Sequence, residues 1–85
     1  MPVVREDSAL VRAARLGDGA AFAELVRRHY GSLVASCRRI VGDRDLAGDV
    51  AQEAMLRAML GLDQLRDDDR FAAWLVGIGL NVGRS

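Results

Sequence analysis

The sequence predicts an all-α domain, a compact bundle of three to four helices, and three observations carry that prediction. Apolar residues recur at three- and four-residue steps and never alternate with polar ones, so the period of two expected of strands is missing. The sole proline stands at position 2, leaving the rest of the chain without a helix breaker. At 85 residues, with 51% hydrophobic and 28% charged side chains, the chain has room for one core and one domain over 1–85. It is too short for a second domain or for an α/β sheet that cradles a cofactor.

A short first helix fits Ser8 to Leu16, with Asp7 or Ser8 as its cap and Gly17 at its end. In the second, Phe22, Leu25, Val26, Leu33, Cys37, Ile40 and Val41 form the apolar stripe, while Arg27, Arg28, Arg38 and Arg39 point elsewhere. Gly31 weakens its middle and Gly42 stops it. Asp43 caps a third helix that runs to about Leu60, with Leu46, Val50, Ala54, Met55, Ala58 and Met59 as the expected inner side. A second stripe on the same helix, Asp49, Gln52, Glu53, Leu56 and Leu60, mixes acid with aliphatic and is expected to face a partner. After a loop from Gly61 to Asp69, whose aspartates Asp67, Asp68 and Asp69 offer caps, a fourth helix presents Phe71, Trp74, Leu75, Ile78 and Val82 inward. Gly77 and Gly79, at about 1 kcal/mol each relative to alanine, predict that this last helix frays early. Its outward positions, Ala72, Ala73, Val76 and Leu80, are apolar enough to invite a cover.

The formal charge is zero, from twelve arginines and twelve acids, so net charge alone predicts no nucleic-acid binding. The distribution is uneven. Residues 1–42 hold seven arginines against four acids, and residues 43–85 hold five against eight. A basic half attracts phosphate; an acidic half suits a basic protein partner. One cysteine excludes an internal disulfide, no signal-peptide pattern opens the chain, and the longest weakly polar run, Phe71 to Gly83, falls short of the roughly 18 residues a membrane span needs. A soluble protein of the reducing cytoplasm is expected. The uncapped end at Arg84 and Ser85 reads as cut from, or awaiting, a longer protein.

No catalytic constellation or cofactor site is legible. His29 and Cys37 are separated by about 12 Å of helix rise and cannot form a dyad. Cys37, on the apolar stripe, is expected to be a buried inert thiol, and His29 a structural residue. Asp45, Asp49 and Glu53 lack a facing set of ligands, so no metal site is expected. The chain is read as a non-enzyme.

Four segments carry a resemblance. Ala21-Phe22-Ala23-Glu24-Leu25-Val26-Arg27-Arg28-His29-Tyr30, then Gly42-Asp43, then Asp49-Val50-Ala51-Gln52-Glu53-Ala54-Met55-Leu56-Arg57-Ala58, and Arg70-Phe71-Ala72-Ala73-Trp74-Leu75 through Ile78 and Asn81, together resemble region 2 of the extracytoplasmic-function sigma factors of bacterial RNA polymerase. The Asp-x-x-Gln-Glu and Arg-Phe-x-x-Trp-Leu blocks are the specific pieces, found in the family's order and separation. The resemblance implies transcription initiation through two contacts. Helix three would bind the clamp helices of the polymerase beta-prime subunit through Asp49, Gln52, Glu53 and Arg57, and the exposed Leu56 and Leu60 would add apolar burial. The loop and the start of helix four, Leu65, Arg66, Asp68 and Arg70 among them, would hold an everted base of the melted −10 promoter strand, with Asn81 further along a DNA-facing helix. Arg27, Arg28, Arg38 and Arg39 would steer phosphate.

The departures fall mainly on the DNA side. Ala72, Val76, Gly77 and Leu80 occupy positions where the family commonly carries basic or aromatic residues, and the loop holds three consecutive aspartates. In helix three, Met55 and Met59 replace common aromatics, and Leu46 and Gly48 replace acids. Region 4, the family's second DNA-reading domain, is not in this sequence. The rival reading is a helical interaction module that kept the fold, lost DNA contact, and packs Val76 and Leu80 on an anti-sigma factor or on a second copy; a plain solvated acidic face is the blander account of helix three.

Overall fold

A computed structural model describes residues 5–84; Pro2 and Ser85, mentioned above, lie outside them. The order is α1 (Asp7–Arg15), α2 (Gly19–Val41), α3 (Arg44–Leu60), two short 3₁₀ turns (Leu62–Gln64 and Asp68–Arg70), and α4 (Phe71–Arg84). Helices α2, α3 and α4 pack mutually around one core, and α1 lies against α2 and against the second 3₁₀ turn. The all-α bundle expected from the periodicity is the observed fold.

Local chemistry sets the helix boundaries. Asp43 caps α3 by accepting the Leu46 amide at 3.0 Å, and Asp18 caps α2 by accepting the Ala21 amide at 3.1 Å. Gly42 ends α2 in the left-handed region, φ 72°, its amide donating to the Arg38 carbonyl at 2.8 Å. Helix α1 differs from expectation: it starts at Asp7, behind an N-cap position at Glu6 that makes no side-chain cap. The Asp7 carboxylate is committed elsewhere, to Arg28 at 3.1 Å and His29 at 2.6 Å on α2.

The inward face of α3 is narrower and smaller than expected. Ala47, Val50, Ala51, Ala54, Met55 and Ala58 are buried, whereas Leu46 and Met59, expected inside, are about half exposed. Alanines let two neighbouring helices approach closely, so the small side chains set the buried register and the larger ones are left at its flanks. Ile40 is likewise exposed at the end of the α2 stripe. On α4, Phe71, Leu75 and Gly79 are buried at four-residue steps. The helix runs through both glycines to Arg84, and Gly79 has a packing role: a Cβ there would sit 3.0 Å from Leu33 Cδ1 and 3.1 Å from Cys37 Sγ, so the missing side chain is what admits α4 onto α2. Ala72 and Ala73 are exposed, but Val76 and Leu80 are half-buried, making the outward apolar strip thinner than the sequence suggests.

Candidate functional site

Helix α3 turns two unlike faces to its surroundings. Opposite the alanine face, Asp49, Gln52, Glu53, Leu56, Arg57 and Leu60 are all exposed, Leu56 by 47% and Leu60 by 76%. Asp49, Gln52, Glu53 and Leu56 line one shallow groove. Their i, i+3, i+4, i+7 spacing stacks them along nearly two turns. Arg57 donates to Glu53 at 3.0 Å across one turn, an exposed pair that screening keeps weak and exchangeable. A ridge of this kind offers acceptors for cationic donors and the unburied parts of two leucines, somewhat more than one full side chain's apolar surface.

A second feature lies at the start of α4. Gln64, Leu65, Arg66, Asp67, Arg70, Ala73 and Trp74 line a cleft of about 430 Å³. The two 3₁₀ turns build its loop side: Asp67 accepts the Asp69 amide at 3.0 Å, and Leu62 and Leu65 plug their side chains into the core. Trp74 forms the aromatic wall, its ring tilted on Phe71 at a centroid distance of 6.1 Å, and Phe71 is wholly buried between it, Phe22 and His29. Trp74 thus serves core and cleft together. Leu65, Arg66 and Arg70, expected at one pocket, are brought together there; Gln64 and Ala73 also line it and were not anticipated. Asp68 is turned away, pairing with Arg15 at 2.9 Å and Arg12 at 3.9 Å on α1. The lining therefore carries two arginines against one aspartate, although the surrounding loop is acidic in sequence.

The six arginines expected to meet DNA divide into two groups. Arg27 and Arg28 both bond to Glu24, and Arg28 also reaches Asp7. Hydrogen bonds from Arg27 and then Arg28 hold the Glu24 carboxyl down at about 2. Among the described residues Arg38, Arg39, Arg66 and Arg70 make no ion pair. Asn81 is exposed on α4, two turns beyond Trp74. Cys37 is buried, which pushes its thiol pKa up and away from reactivity. His29 is bound to Asp7 and packed on Phe71, a structural position. No group of three or more potential metal ligands occurs among the described residues, nor is any of their helices long and apolar enough to cross a membrane.

Residues 25–83 match the family model described as Sigma-70 region 2. The chain is 35% identical over 80 residues to the RNA polymerase sigma-H factor of Pseudomonas aeruginosa, covering 94% of this chain and 42% of that protein. It is 37% identical over 78 residues to the RNA polymerase sigma factor NccH of Alcaligenes xylosoxydans xylosoxydans, covering 92% and 42%. To the ECF RNA polymerase sigma-E factor of Escherichia coli K12 it is 35% identical over 79 residues, covering 93% and 41%. The chain thus spans less than half the length of these relatives. No solved structure matches it significantly. With a family model aligned from the second turn of α2 to the last turn of α4, across both the two-faced helix and the cleft, the chain belongs to the Sigma-70 region 2 family.

Proposed function

We propose that this domain acts in transcription initiation, docking on core RNA polymerase through the outward ridge of α3 and taking an unpaired base of the −10 promoter strand into the cleft beside Trp74. The observation that carries the reading is the ridge. Asp49 and Glu53 project together with Gln52 and Arg57, and Leu56 and Leu60 are left unburied beside them. This suits a basic helical partner such as the clamp helices of the beta-prime subunit, whose arginines would meet the carboxylates in charge-assisted bonds.

Magnitudes rank the two contacts. Extracting a base costs a few kcal/mol, and stacking on one aromatic returns about 1–3 kcal/mol, so Trp74 alone roughly breaks even. Arg66 and Arg70, free of intramolecular pairs, supply the rest by contacting phosphate or base edges, and polymerase docking supplies the alignment. Arg38 and Arg39 are read as phosphate contacts of the same kind, and Arg27 and Arg28, held by Glu24 and Asp7, as weaker ones. Asp68 acts on DNA only through the loop it anchors, and Leu65 through the floor of the cleft. Asn81 is read as a contact to the strand beyond the cleft. Packing of an anti-sigma factor or a second copy on Ala72, Ala73, Val76 and Leu80 is the rival reading, and the half-burial of the last two disfavours it.

The test is the double charge reversal D49R/E53R in the full 85-residue chain. Both positions are exposed, so the helical circular dichroism spectrum and thermal midpoint stay near wild type, while co-purification with core polymerase is lost. Retained co-purification by the folded variant refutes the assignment of the ridge.

A further inference from the structure

We propose that Arg15 is the positioning residue that sets the shape and charge of the cleft from outside it, an inference that rests on reading the cleft as a base pocket. Arg15 stands in the last turn of α1, yet its guanidinium reaches across to the loop between α3 and α4. It donates to the Leu65 carbonyl at 3.1 Å and the Leu62 carbonyl at 3.5 Å, pairs with Asp68 at 2.9 Å, and lies 3.9 Å from Asp63. One planar cation thus gathers two carbonyls and two carboxylates from a seven-residue stretch.

Apart from the buried side chains of Leu62 and Leu65, little else holds that stretch. Its own hydrogen bonds are those of two single turns, Gln64 to Gly61, Leu65 to Leu62 and Arg70 to Asp67, with the Asp67 side chain accepting the Asp69 amide. Isolated 3₁₀ turns of this length are weak. Fixing the Leu65 carbonyl toward α1 fixes the peptide that leads into Arg66, which lines the opposite, cleft side. Drawing Asp68 toward α1 also removes a carboxylate from the neighbourhood of Arg66 and Arg70, leaving the lining with its excess of arginine. Without the guanidinium, only the longer 3.9 Å contact to Arg12 draws Asp68 toward α1, so the carboxylate can swing toward Arg66 and Arg70 and both shape and sign of the cleft are lost. Both carbonyls and Asp68 meet one terminal nitrogen, Nη2, while Nε faces Asp63, so lysine would restore the charge but not the second nitrogen or the fixed plane that aims the first.

The experiment compares Arg15→Ala and Arg15→Lys with wild type in the full chain by two readouts. The first is amide hydrogen exchange: Arg15→Ala is expected to speed the Gln64, Leu65 and Arg70 amides at least tenfold while leaving those of Ala51 to Ala58 in α3 unchanged, with Arg15→Lys between. The second is binding of the chain, docked on core polymerase, to single-stranded −10-like oligonucleotides in which each base in turn is replaced by an abasic site. Wild type is expected to lose at least tenfold at one position, and Arg15→Ala less than threefold there. Unchanged loop exchange, or acceleration spread equally through α2, α3 and α4, overturns the positioning role whatever the DNA result. A wild-type scan with no sensitive position overturns the base-pocket reading instead and removes Arg15 from base capture with it. Should Arg15→Ala not fold, Arg15→Gln takes its place, because its shorter uncharged amide releases Asp68 and cannot hold both carbonyls; normal exchange at Gln64, Leu65 and Arg70 with a wild-type abasic profile in that variant overturns the proposal.

Discussion

Two glycines two residues apart on α4 are expected to respond to alanine in opposite directions. At Gly77 a new Cβ meets nothing within 4 Å, so Gly77→Ala gains only the helix-propensity difference, about 1 kcal/mol. At Gly79 the same gain is opposed by overpacking. The Cβ would press on Leu33 Cδ1 and Cys37 Sγ at 3.0 and 3.1 Å, and both partners are only 1% exposed, with no solvent side to retreat into. Overpacking a tight core costs about 1–3 kcal/mol, leaving Gly79→Ala destabilised by roughly 1 kcal/mol net. For a domain of this size 1 kcal/mol moves the thermal midpoint by about 4–8 °C, so the two variants should bracket wild type with some 10 °C between them. Differential scanning calorimetry or thermal circular dichroism reads this directly. A double cycle with Cys37→Ala adds a control: truncating the thiol opens room for the Gly79→Ala methyl, so the pair should cost less than the sum of the singles. If Gly79→Ala matches Gly77→Ala in raising the midpoint, α4 does not cross α2 at the distance on which this reasoning stands.

The contrast between these glycines also marks where sequence reasoning stops. Composition and periodicity treat Gly77 and Gly79 alike, as two defects in one helix, because the difference between them lies in Leu33 and Cys37, some forty residues earlier. What is written in a few adjacent residues was legible: Asp43 capping α3, Gly42 closing α2, and the ridge from Asp49 to Leu60, a property of one helix and its 3.6-residue period. The inner face of α3 was legible only in part. Choosing large side chains picked Leu46 and Met59, whereas the packing of three helices selects for closeness and buries Ala47 and Ala51. Asp7 looks like a cap by position, and becomes a cross-helix ligand because His29 and Arg28 arrive beside it. The cleft follows the same rule. Its loop residues are contiguous and were foreseeable, but the turning of Asp68 away from Arg66 depends on Arg15, and the two carbonyls Arg15 also holds are 47 and 50 residues from it.

Two further expectations complete the set. Glu24, held at about 2 against an ordinary 4.5 by Arg27 and Arg28, is depressed in the folded state, so its contribution to stability is complete above about pH 4.5 and is lost as pH falls toward 2. Urea unfolding of wild type and Glu24→Gln at several pH values should show a midpoint difference that is constant from neutral pH to about 5 and closes below 4.5, and that shrinks with added salt because the cluster is solvent-facing; a difference independent of pH refutes the assignment. The last expectation separates the apolar half of the α3 ridge from its charged half. Fully burying a leucine contributes about 1.5–3 kcal/mol, and Leu56 and Leu60 retain 47% and 76% of their surface for a partner to cover, so together they stand to contribute on the order of 2–3 kcal/mol on docking. Leu56→Ser combined with Leu60→Ser gives up the buried remainder of the two side chains, about three-quarters of one leucine, and should lower the thermal midpoint by about 5–15 °C while the chain stays folded at the assay temperature, yet weaken binding to core polymerase roughly 10- to 100-fold in a titration with labelled chain. Because this loss comes from desolvation, it should persist in high salt, where the D49R/E53R effect is partly screened; a leucine effect that vanishes with salt, or a double serine variant that binds as wild type does, would show that the ridge engages its partner through charge alone.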